Sequence, residues 1–238
     1  MTRTVLVTGG TSGIGRAVAA RFAADRAEVY ITGRHADTVE RAAKELGVHG
    51  VTCDATDPGQ VAALAARFDA LDVLVNAAGG LPGPTPGDVP PLEGVLAQWR
   101  ANLAQNLLGA VLTTASVQDK LGPGGTVLSI GSIGAERRGG SYGAAKAALA
   151  AWSASLSGEL GPRGVTVNVI SAGYIAGTDP FQGQMTDERH ASLVGETHDK
   201  RPGTVDDIAE TAHFLASPGA RHITGQTIHV NGGAFTTR

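Results

Sequence analysis

Three side chains between residues 132 and 146 are of types that could move a proton together. Tyr142 and Lys146 are four residues apart in the alanine-rich stretch YGAAK, so a helix would put both on one face, with Cβ atoms roughly 5–6 Å apart. Ser132 ends the apolar run GTVLSIGS. A phenol can donate a proton, an adjacent ammonium lowers its pKa, and a serine hydroxyl can hydrogen-bond a developing alkoxide. Alone, the Tyr-x3-Lys spacing more often means two exposed side chains. Other motifs must therefore decide whether this pair is catalytic.

A glycine-rich segment, TGGTSGIG at residues 8–15, joins the first apolar run to a helical pattern. Its glycines leave N–H groups at a helix N-terminus, which carries about half a positive charge and suits a pyrophosphate. The spacing of Gly9, Gly13 and Gly15 differs from the G-x-G-x-x-G of the commonest dinucleotide fingerprint. By itself the segment is a weak signal, and a tight strand-to-helix turn without a ligand is the alternative.

Two further motifs carry polar groups in apolar surroundings. The segment NAAG at residues 76–79 closes a predicted strand, and Asn106 lies among leucines in a predicted helix, where a polar residue is unfavourable without a partner. The seven histidines are scattered without a metal-like spacing such as H-x3-H, so no metal site is predicted.

These residues need a scaffold, and the chain alternates apolar strand-like runs with helical patterns. Strands are predicted over residues 4–9, 28–33, 50–54, 72–79, 125–132, 165–171 and 226–233. Helices are predicted near 14–25, 36–46, 57–68, 94–120, 141–161 and 204–216. Almost wholly apolar strands are buried on both faces. The alternation therefore predicts an α/β fold, a Rossmann-type doubly wound sheet of about seven parallel strands with helices on both faces.

No linker divides the 238 residues, and we expect a single dinucleotide-binding and catalytic domain over residues 1–238. The Pro/Gly-rich stretch 79–91 and the polar stretch 177–203 follow strand ends. Because an open α/β sheet binds its ligands at that edge, both are predicted as substrate loops.

Composition excludes several functional classes. The net charge is −3 without a basic stripe, which gives no support to nucleic-acid binding. No uncharged apolar run approaches the roughly 18 residues of a membrane span. No signal-peptide pattern precedes the first strand, and a single cysteine, Cys53, excludes an internal disulfide framework. We therefore expect a cytoplasmic protein without a membrane partner.

In order and spacing, the motifs resemble the short, single-domain branch of the short-chain dehydrogenase/reductase family. The matching segments are residues 8–15, 76–79 and 106–109, then Ser132 with Tyr142 and Lys146, while 201–233 resembles the family's last helix–strand unit. The likeness spans essentially the whole chain and is closest to 3-oxoacyl-carrier-protein reductase-like enzymes. It implies hydride transfer between a nicotinamide and a carbonyl or secondary alcohol, as in a ketoreductase.

The resemblance also implies a role for each matched residue. Tyr142 exchanges the proton, Ser132 binds the substrate oxygen, and Asn106 organises a water chain that reloads Tyr142. Lys146 lowers the pKa of Tyr142, aided by the positive nicotinamide of the oxidised complex, and holds the nicotinamide ribose. The cofactor-binding residues it implies are Gly9, Thr11, Ser12, Gly13, Ile14, Gly15, Arg34, Asp54, Asn76, Ala77, Gly79, Tyr142, Lys146, Gly173 and Ile175. Asp54 would contact the adenine, with capping of the next helix as the alternative.

The second predicted strand bears on the choice of cofactor. After such a strand an acidic residue binds the ribose 2′-hydroxyl of NAD, whereas an arginine accommodates the 2′-phosphate of NADP. Here Gly33 and Arg34 stand where the acid would be, and Asp37 comes too late. Arg34 can bind a phosphate through charge-assisted hydrogen bonds, and Ser12 could add a hydroxyl. We therefore expect NADP(H) to be favoured over NAD(H).

Two departures from the family pattern affect the substrate pocket. Ala172-Gly173 stands where the family usually has Pro-Gly, and the connection from Ser132 to Tyr142 is shorter than in many relatives. The pocket shape is therefore not transferable. Acyl thioesters, polyketide-like ketones, sugars and steroids all stay open as substrates, and Tyr174 and Phe181 are candidates for contact with them.

Other functions and the assembly state complete the expectations. A non-catalytic nucleotide-binding regulator would keep the glycine segment but has no reason to keep Ser132, Tyr142 and Lys146, and sugar-nucleotide epimerases or dehydratases have longer chains. The helices near 94–120 and 141–161 carry more apolar residues than one buried face needs. These residues are Leu103, Leu107, Val111, Leu149, Trp152 and Leu156. Relatives form tetramers through these helices and the last strand, so a homotetramer is predicted.

Overall fold

A seven-stranded parallel sheet runs through the centre of the protein in the computed structural model, which describes residues 2–81, 91–137, 139–178 and 185–237. Its strands are β1 (Thr4–Thr8), β2 (Glu28–Gly33), β3 (His49–Thr52), β4 (Leu71–Asn76), β5 (Leu121–Ser132), β6 (Thr166–Ala172) and β7 (Thr227–Val230). Their order in space is β3-β2-β1-β4-β5-β6-β7, which confirms the predicted fold class. From β1 the chain adds β2 and β3 on one side of the sheet and then crosses to add β4 to β7 on the other side. Between β1 and β4, where this change occurs, an open α/β sheet leaves a ligand crevice at the carboxyl ends of its strands.

Eight α-helices connect the strands within the described residues. They are α1 (Gly13–Ala24), α2 (Ala36–Leu46), α3 (Pro58–Ala65), α4 (Leu92–Leu103), α5 (Gly109–Val117), α6 (Gly140–Leu160), α7 (Asp187–Glu196) and α8 (Val205–Leu215). Local chemistry sets several of their ends. The side chains of Asp57 and Thr204 accept hydrogen bonds from backbone N–H groups in the first turns of α3 and α8. Gly47 ends α2 in the left-handed conformation, with φ 66°.

Two apolar layers attach the helices to the sheet. On one face Val7 and Ile170 pack with Phe22 of α1 and Ile208 of α8, and all four are fully buried. On the other face Leu74 and Val127 belong to a second layer that includes α3, α5 and α6. Each such buried side chain stabilises the fold by about 1.5–3 kcal/mol. Both layers hold the carboxyl ends of the strands in fixed relative positions.

The predicted helix near 94–120 is interrupted. A π-helical turn, Ala104–Leu108, separates α4 from α5, and a short 3-10 turn, Gln118–Lys120, follows α5. Asn106 lies inside the π turn and its side chain bonds to the backbone of Gly80, outside the helix. Apolar periodicity could not reveal this interruption, because the partner that stabilises it comes from a distant segment.

The stretch 177–203, predicted as a loop, contains helix α7. Thr186 caps this helix by accepting a hydrogen bond from the N–H of Arg189, and Asp187 and Glu188 stand in its first turn. This capping pattern was overlooked because the helix has little apolar periodicity and buries none of its residues. Residues 82–90 of the other predicted loop, and Phe181, lie outside the described residues.

The apolar residues predicted on the long helices are buried or half-buried. Leu149 and Leu156 are buried, and Leu103, Leu107, Val111 and Trp152 are half-buried. The large apolar side chains that are exposed within the described residues lie at other positions, namely Leu92, Val95, Leu96 and Trp99 on α4, Leu108 in the π turn and Phe214 on α8. No helix in the described parts of the chain is long and apolar enough to cross a membrane.

Candidate active site

The glycine segment after β1 forms a turn that no larger residue could make. Gly9 and Gly13 have positive φ, and a Cβ on Gly9 would lie 2.7 Å from the Cα of Ala78. A Cβ on Gly15 would lie 2.3 Å from the carbonyl oxygen of Gly9. The N-cap of α1, Ser12, makes no side-chain capping bond, and no acidic residue stands in the first turn. The N–H groups of that turn are therefore open to an anion.

The segment after β4 is tied to the end of β1. The hydroxyl of Thr8 accepts hydrogen bonds from the N–H groups of Ala77 and Ala78, each at 3.2 Å. The buried amide of Asn76 donates to the hydroxyl of Thr114 in α5 at 3.0 Å. These bonds hold the two edges of the switch-point crevice at a fixed spacing.

The residue after β2 presents an exposed cation. Arg34 makes no hydrogen bond or salt bridge with any described residue, and its charge contributes to the lowered pKa of Asp54. Beside it, a Cβ on Gly33 would lie 2.8 Å from Cγ2 of Thr11, so a side chain at position 33 would displace the glycine segment. Asp54 accepts hydrogen bonds from the N–H and hydroxyl of Thr56, which lower the pKa of its carboxyl. Asp54 thus orders the turn after β3, while a different residue caps α3.

Ser132, Tyr142 and Lys146 come together at the carboxyl end of β5. Ser132 accepts a hydrogen bond from the N–H of Gly134 at 3.1 Å, and a Cβ on Gly134 would lie 3.3 Å from that hydroxyl and 3.4 Å from the Tyr142 ring. The ammonium of Lys146 donates to the carbonyl of Ile130 at 2.7 Å and lies 5.8 Å from the centre of the Tyr142 ring.

Burial governs the protonation of both titratable groups. It lowers the pKa of Lys146 to about 8. It raises the pKa of Tyr142, and the interaction with Ser132 only opposes that rise. The expectation that Lys146 lowers the pKa of Tyr142 is therefore wrong for the protein alone. The physical reason is that the lysine is itself desolvated, is bound to Ile130, and does not touch the phenol oxygen.

Asn106 joins this group to the segment after β4. Its amide donates to the carbonyl of Gly80 and accepts from the N–H of the same residue, both at 3.0 Å. A Cβ on Gly79 would lie 2.7 Å from the Asn106 Oδ1 and 3.5 Å from the Lys146 Nζ. Gly79 therefore passes between these two side chains because it has none of its own.

Sequence reasoning missed two residues next to Asn106. Asn102, one turn earlier, donates to the hydroxyl of Ser141 at 2.9 Å, and its Oδ1 lies 3.4 Å from the Asn106 Nδ2. Both residues are buried. The repetition of asparagine at a spacing of four within a leucine-rich segment was the available signal, because it puts two amides on one helical face.

The segment after β6 closes the third side of the crevice. Gly173 donates to the carbonyl of Val230, and a Cβ on it would lie 2.7 Å from the Cα of Asn231. Ile175 is buried and forms a bridge with Gly203, which joins the two ends of the 177–203 stretch. With Ala172 before it in place of proline, this segment is still tied to β7 and to residue 203 by backbone hydrogen bonds.

Side-chain bonds connect α7 to the loops around the site. The hydroxyl of Tyr174 lies 2.7 Å from Nδ1 of His190 in α7. Arg137, between Ser132 and α6, forms an ion pair with Glu196 at the end of α7 and donates to the carbonyl of Ala234. These contacts join α7 to the segment after β6, to the loop between β5 and α6, and through Arg137 to the C-terminal segment.

The arrangement fits a dinucleotide. A free helix N-terminus, glycines that permit close approach of a backbone, and the cations Arg34 and Lys146 suit a phosphate-rich ligand with ribose hydroxyls. The predicted cofactor residues that lie at or after the carboxyl ends of β1, β4 and β6 are Gly9, Thr11, Ser12, Gly13, Ile14, Gly15, Asn76, Ala77, Gly79, Gly173 and Ile175. No group of histidine, cysteine or acidic residues within the described residues could hold a metal ion.

Comparison with known sequences gives full-length matches. Residues 9–235 match a family model described as enoyl-(acyl carrier protein) reductase. The chain is 34% identical to the 3-oxoacyl-[acyl-carrier-protein] reductase FabG of Escherichia coli over 97% of this chain and 96% of that protein. It is 31% identical to the 7α-hydroxysteroid dehydrogenase of Escherichia coli, over 96% and 92% of the two chains.

Solved structures agree with the sequence matches. A blue fluorescent protein from a metagenomic library, in complex with NADPH, has a TM-score of 0.86 and 32% identity, over 98% of both chains. A short chain dehydrogenase from Burkholderia cenocepacia with NADP has a TM-score of 0.85 and 33% identity, over 98% and 97% of the chains. The 7α-hydroxysteroid dehydrogenase with NADH and 7-oxo glycochenodeoxycholic acid has a TM-score of 0.86 and 31% identity, over 97% and 93%.

Proposed function

This chain belongs to the short-chain dehydrogenase/reductase family and is an NAD(P)-dependent oxidoreductase, and from this premise we propose that it reduces a ketone to a secondary alcohol with NADPH. The observation that carries the proposal is the meeting of Ser132, Tyr142 and Lys146 beside Gly79 and the glycine segment. A nucleotide-binding regulator would gain nothing from a buried lysine, whose desolvation costs free energy.

The chain's own residues divide the work of proton transfer. Ser132 and Tyr142 hydrogen-bond the substrate carbonyl oxygen, and the hydroxyl of Tyr142 gives it a proton as negative charge develops there. For the cofactor-bound state, the ammonium of Lys146, 5.8 Å from the centre of the Tyr142 ring, is the proposed positive charge that stabilises the remaining phenolate. When bound, the reduced nicotinamide supplies the hydride to the carbonyl carbon. In the reverse direction the same phenolate removes the proton of the alcohol.

The glycine segment and Lys146 are the residues proposed to hold the dinucleotide. The open N–H groups of the first turn of α1 would bind the pyrophosphate, and Lys146 would bind the ribose hydroxyls of the nicotinamide half. Asn76, Ala77 and Gly79 would line the floor of the crevice. Asp54 is proposed to contact the adenine, and its hydrogen bond with the N–H of Thr56 holds its carboxylate in place.

Asn106 is proposed to return a proton to Tyr142 through ordered water. Its amide already binds Gly80 through both its oxygen and its nitrogen, so its orientation is determined by backbone partners. Held in this way beside Gly79 and close to Lys146, it can order a water near the lysine ammonium. The test measures kcat of Asn106→Ala and of wild type in H2O and in D2O. A lower kcat in the variant, with a larger decrease in D2O than in H2O, would support this role, and an unchanged kcat would contradict it.

Preference for NADPH is supported by the end of β2. Arg34 is exposed and unpaired in the described chain, and the room for an acidic side chain at Gly33 is taken by Thr11 and Val39. An arginine there accommodates a 2′-phosphate, whereas an acid would repel it. Related structures hold either NADPH, NADP or NADH, so the choice depends on these residues of this chain.

The substrate is proposed to enter between the segments 79–91 and 177–203 of a single catalytic domain. The relatives act on acyl-carrier-protein-bound or steroid ketones by name. Tyr174 borders this entrance through its bond to α7. A cytoplasmic location, expected from the sequence, is part of the proposal, and cell fractionation with a tagged chain tests it.

A homotetramer is proposed as the working assembly. The apolar side chains Leu92, Val95, Leu96 and Trp99 recur on one face of α4 and are exposed, although a stripe of this length normally covers another surface. Burying such a stripe against a second copy would remove it from water. The elements that relatives use for this purpose include the C-terminal strand, here β7.

The test is an assay of NADPH oxidation with purified protein and a panel of ketones. The panel should include an acetoacetyl thioester, a cyclic diketone, a keto sugar and a keto steroid. We expect turnover with at least one ketone and none with the corresponding alkene. Absence of NADPH oxidation and of alcohol-dependent NADP reduction across the panel, with cofactor binding intact, would contradict the proposal.

A further inference from the structure

Asn102 and Ser141 form a buried polar pair behind the reacting groups. Asn102 is 1% exposed and Ser141 is 8% exposed. Ser141 directly precedes Tyr142 in the first turn of α6, and Asn102 lies in the last turn of α4, before the π turn. The 2.9 Å bond between Nδ2 of Asn102 and Oγ of Ser141 joins α4 to α6.

The hydrogen bonds of Asn102 determine its orientation completely. Its Nδ2 donates both hydrogens, one to the carbonyl of Gln98 at 3.2 Å and the other to Ser141. Its Oδ1 accepts from Asn106 at 3.4 Å. Because the carbonyl of Gln98 can only accept, the amide cannot be flipped without losing a bond.

A continuous chain of bonds thus runs from the crevice to the catalytic helix. It passes from Gly80 to Asn106, then to Asn102 and to Ser141, the neighbour of Tyr142. The π turn, which contains Asn106 and follows Asn102 directly after the end of α4, contributes to the alignment, and such turns are frequent at functional sites.

From this geometry we infer that Asn102 and Ser141 are positioning residues, which hold the first turn of α6, and with it Tyr142, in register with Asn106 and Ser132. The inference rests on the proposed function only in naming Tyr142 as the proton donor. Loss of the pair frees the first turn of α6, and the phenol is then held less firmly against Ser132. Because that contact opposes the rise of the Tyr142 pKa caused by burial, Tyr142 should titrate at higher pH.

The experiment compares Asn102→Leu, Ser141→Ala and the double variant with wild type. Leucine keeps the branching of the asparagine side chain and removes all its hydrogen bonds. One uncharged hydrogen bond corresponds to about a two- to tenfold change, so kcat should fall by that factor in Ser141→Ala and by at least that factor in Asn102→Leu, while NADPH binding stays unchanged. The double variant should lose no more than Asn102→Leu, since both changes break the same bond.

Two controls separate positioning from general stability. Gln98→Leu changes the same helix at a side chain that makes no hydrogen bond within the described residues, and Ser141→Thr keeps the hydroxyl. Both should keep the wild-type pH profile of kcat. The second readout is the ultraviolet titration of Tyr142 without ligand, taken as the difference between each protein and its Tyr142→Phe counterpart.

The outcomes are distinct. A shift of the Tyr142 titration and of the basic limb of kcat to higher pH in Asn102→Leu and Ser141→Ala supports the inference. Unchanged titration and pH profile overturn it, even if melting temperatures fall. If Asn102→Leu does not fold, Ser141→Ala decides alone. If no ketone is reduced by wild type but the titration shifts, the proposed function fails and the positioning role stands.

Discussion

Lys146 is the one cation within the described chain that burial has strongly perturbed. Its pKa of about 8 shows that the folded protein holds the ammonium at a cost relative to water. The hydrogen bond from the ammonium to the carbonyl of Ile130 offsets part of this desolvation cost. The ammonium also lies next to Gly79 at the crevice. Titratable groups whose pKa is strongly shifted by burial are typical of active sites.

The pH dependence of stability should reveal this cost. Below about pH 8 Lys146 is charged in both states, and up to its ordinary pKa near 10.4 only the unfolded state keeps the proton. The contribution of Lys146 to the free energy of unfolding therefore rises with pH between about 8 and 10.4. Lys146→Met should raise the free energy of unfolding near pH 7 by roughly 2–3 kcal/mol, and the gain should shrink above pH 8. Denaturant melts at several pH values measure it, with exposed Lys44→Met as the unaffected control.

Substitution of Tyr142 should separate chemistry from binding. Tyr142→Phe removes the proton donor and leaves the glycine segment intact, so turnover should fall at least a hundredfold with NADPH affinity within a few-fold, given that general acid catalysis contributes about 10²–10⁴. Lys146→Ala should damage both quantities. Steady-state kinetics and fluorescence titration of NADPH measure them. More than a tenth of wild-type turnover in Tyr142→Phe would contradict the assignment.

Arg34 should decide between the two nicotinamide cofactors. Arg34→Asp removes a cation that can bind a 2′-phosphate and adds a repelling charge. A hydrogen bond to a charged group contributes about 1.5–3 kcal/mol, so kcat/KM with NADPH should fall ten- to 150-fold or more, while NADH is spared or improved. Arg41→Asp, the same change on the exposed face of α2, should have little effect. A wild-type preference for NADH would refute the cofactor proposal.

Among the helices, the start of α6 depends on unusually close backbone contact. A Cβ on Gly143 would lie 2.2 Å from the carbonyl oxygen of Gly134, and a Cβ on Gly139 would meet the same atom. Gly143 directly follows Tyr142, and Gly134 borders both Ser132 and the Tyr142 ring. The short connection between β5 and α6 is therefore feasible only with glycine at these contacts.

An alanine at this contact should harm catalysis more than folding. Gly143→Ala must push α6 away from Gly134, and overpacking of this kind typically costs about 1–3 kcal/mol. We expect lower kcat with unchanged NADPH affinity, because the shift separates Tyr142 from Ser132. Gly158→Ala in the same helix is the matched control, since nothing lies within 4 Å of its added Cβ and it should keep full activity. Equal activity of the two variants would contradict the packing argument.

Across the molecule, the described surface carries one concentrated apolar stripe. Leu92 is 83% exposed and Leu96 is 49% exposed on α4, which leads into the π turn that contains Asn106 and is bonded to α6 through Asn102 and Ser141. A second copy seated on α4 would therefore also restrain the elements that position Tyr142. Assembly and activity should be linked through this helix.

Disruption of the stripe should change the oligomeric state. Leu96→Arg places a charge where the proposed contact would be dry, and an unpaired buried charge is strongly unfavourable. Light scattering at micromolar concentration should show a tetramer for wild type and a smaller species for Leu96→Arg. Ala62→Arg, on the exposed side of α3, should stay tetrameric. A monomeric wild type would remove the assembly proposal.

Patterns that are local in the chain were sufficient to predict most of the fold. Apolar β-branched runs, helical periodicity and glycine turns depend on neighbours within a few residues, so the seven strands, their parallel arrangement and the turn after β1 could be foreseen. For the same reason the pair Tyr142 and Lys146 could be placed on one helical face.

The remaining features depend on groups that meet only when distant segments pack. The π turn is stabilised by Gly80, the Asn102–Ser141 bond joins α4 to α6, and Gly143 is required by a carbonyl of the loop after β5. The direction of the Tyr142 pKa shift is decided in the same way, because desolvation is a property of the assembled interior and outweighs the hydrogen bond with Ser132.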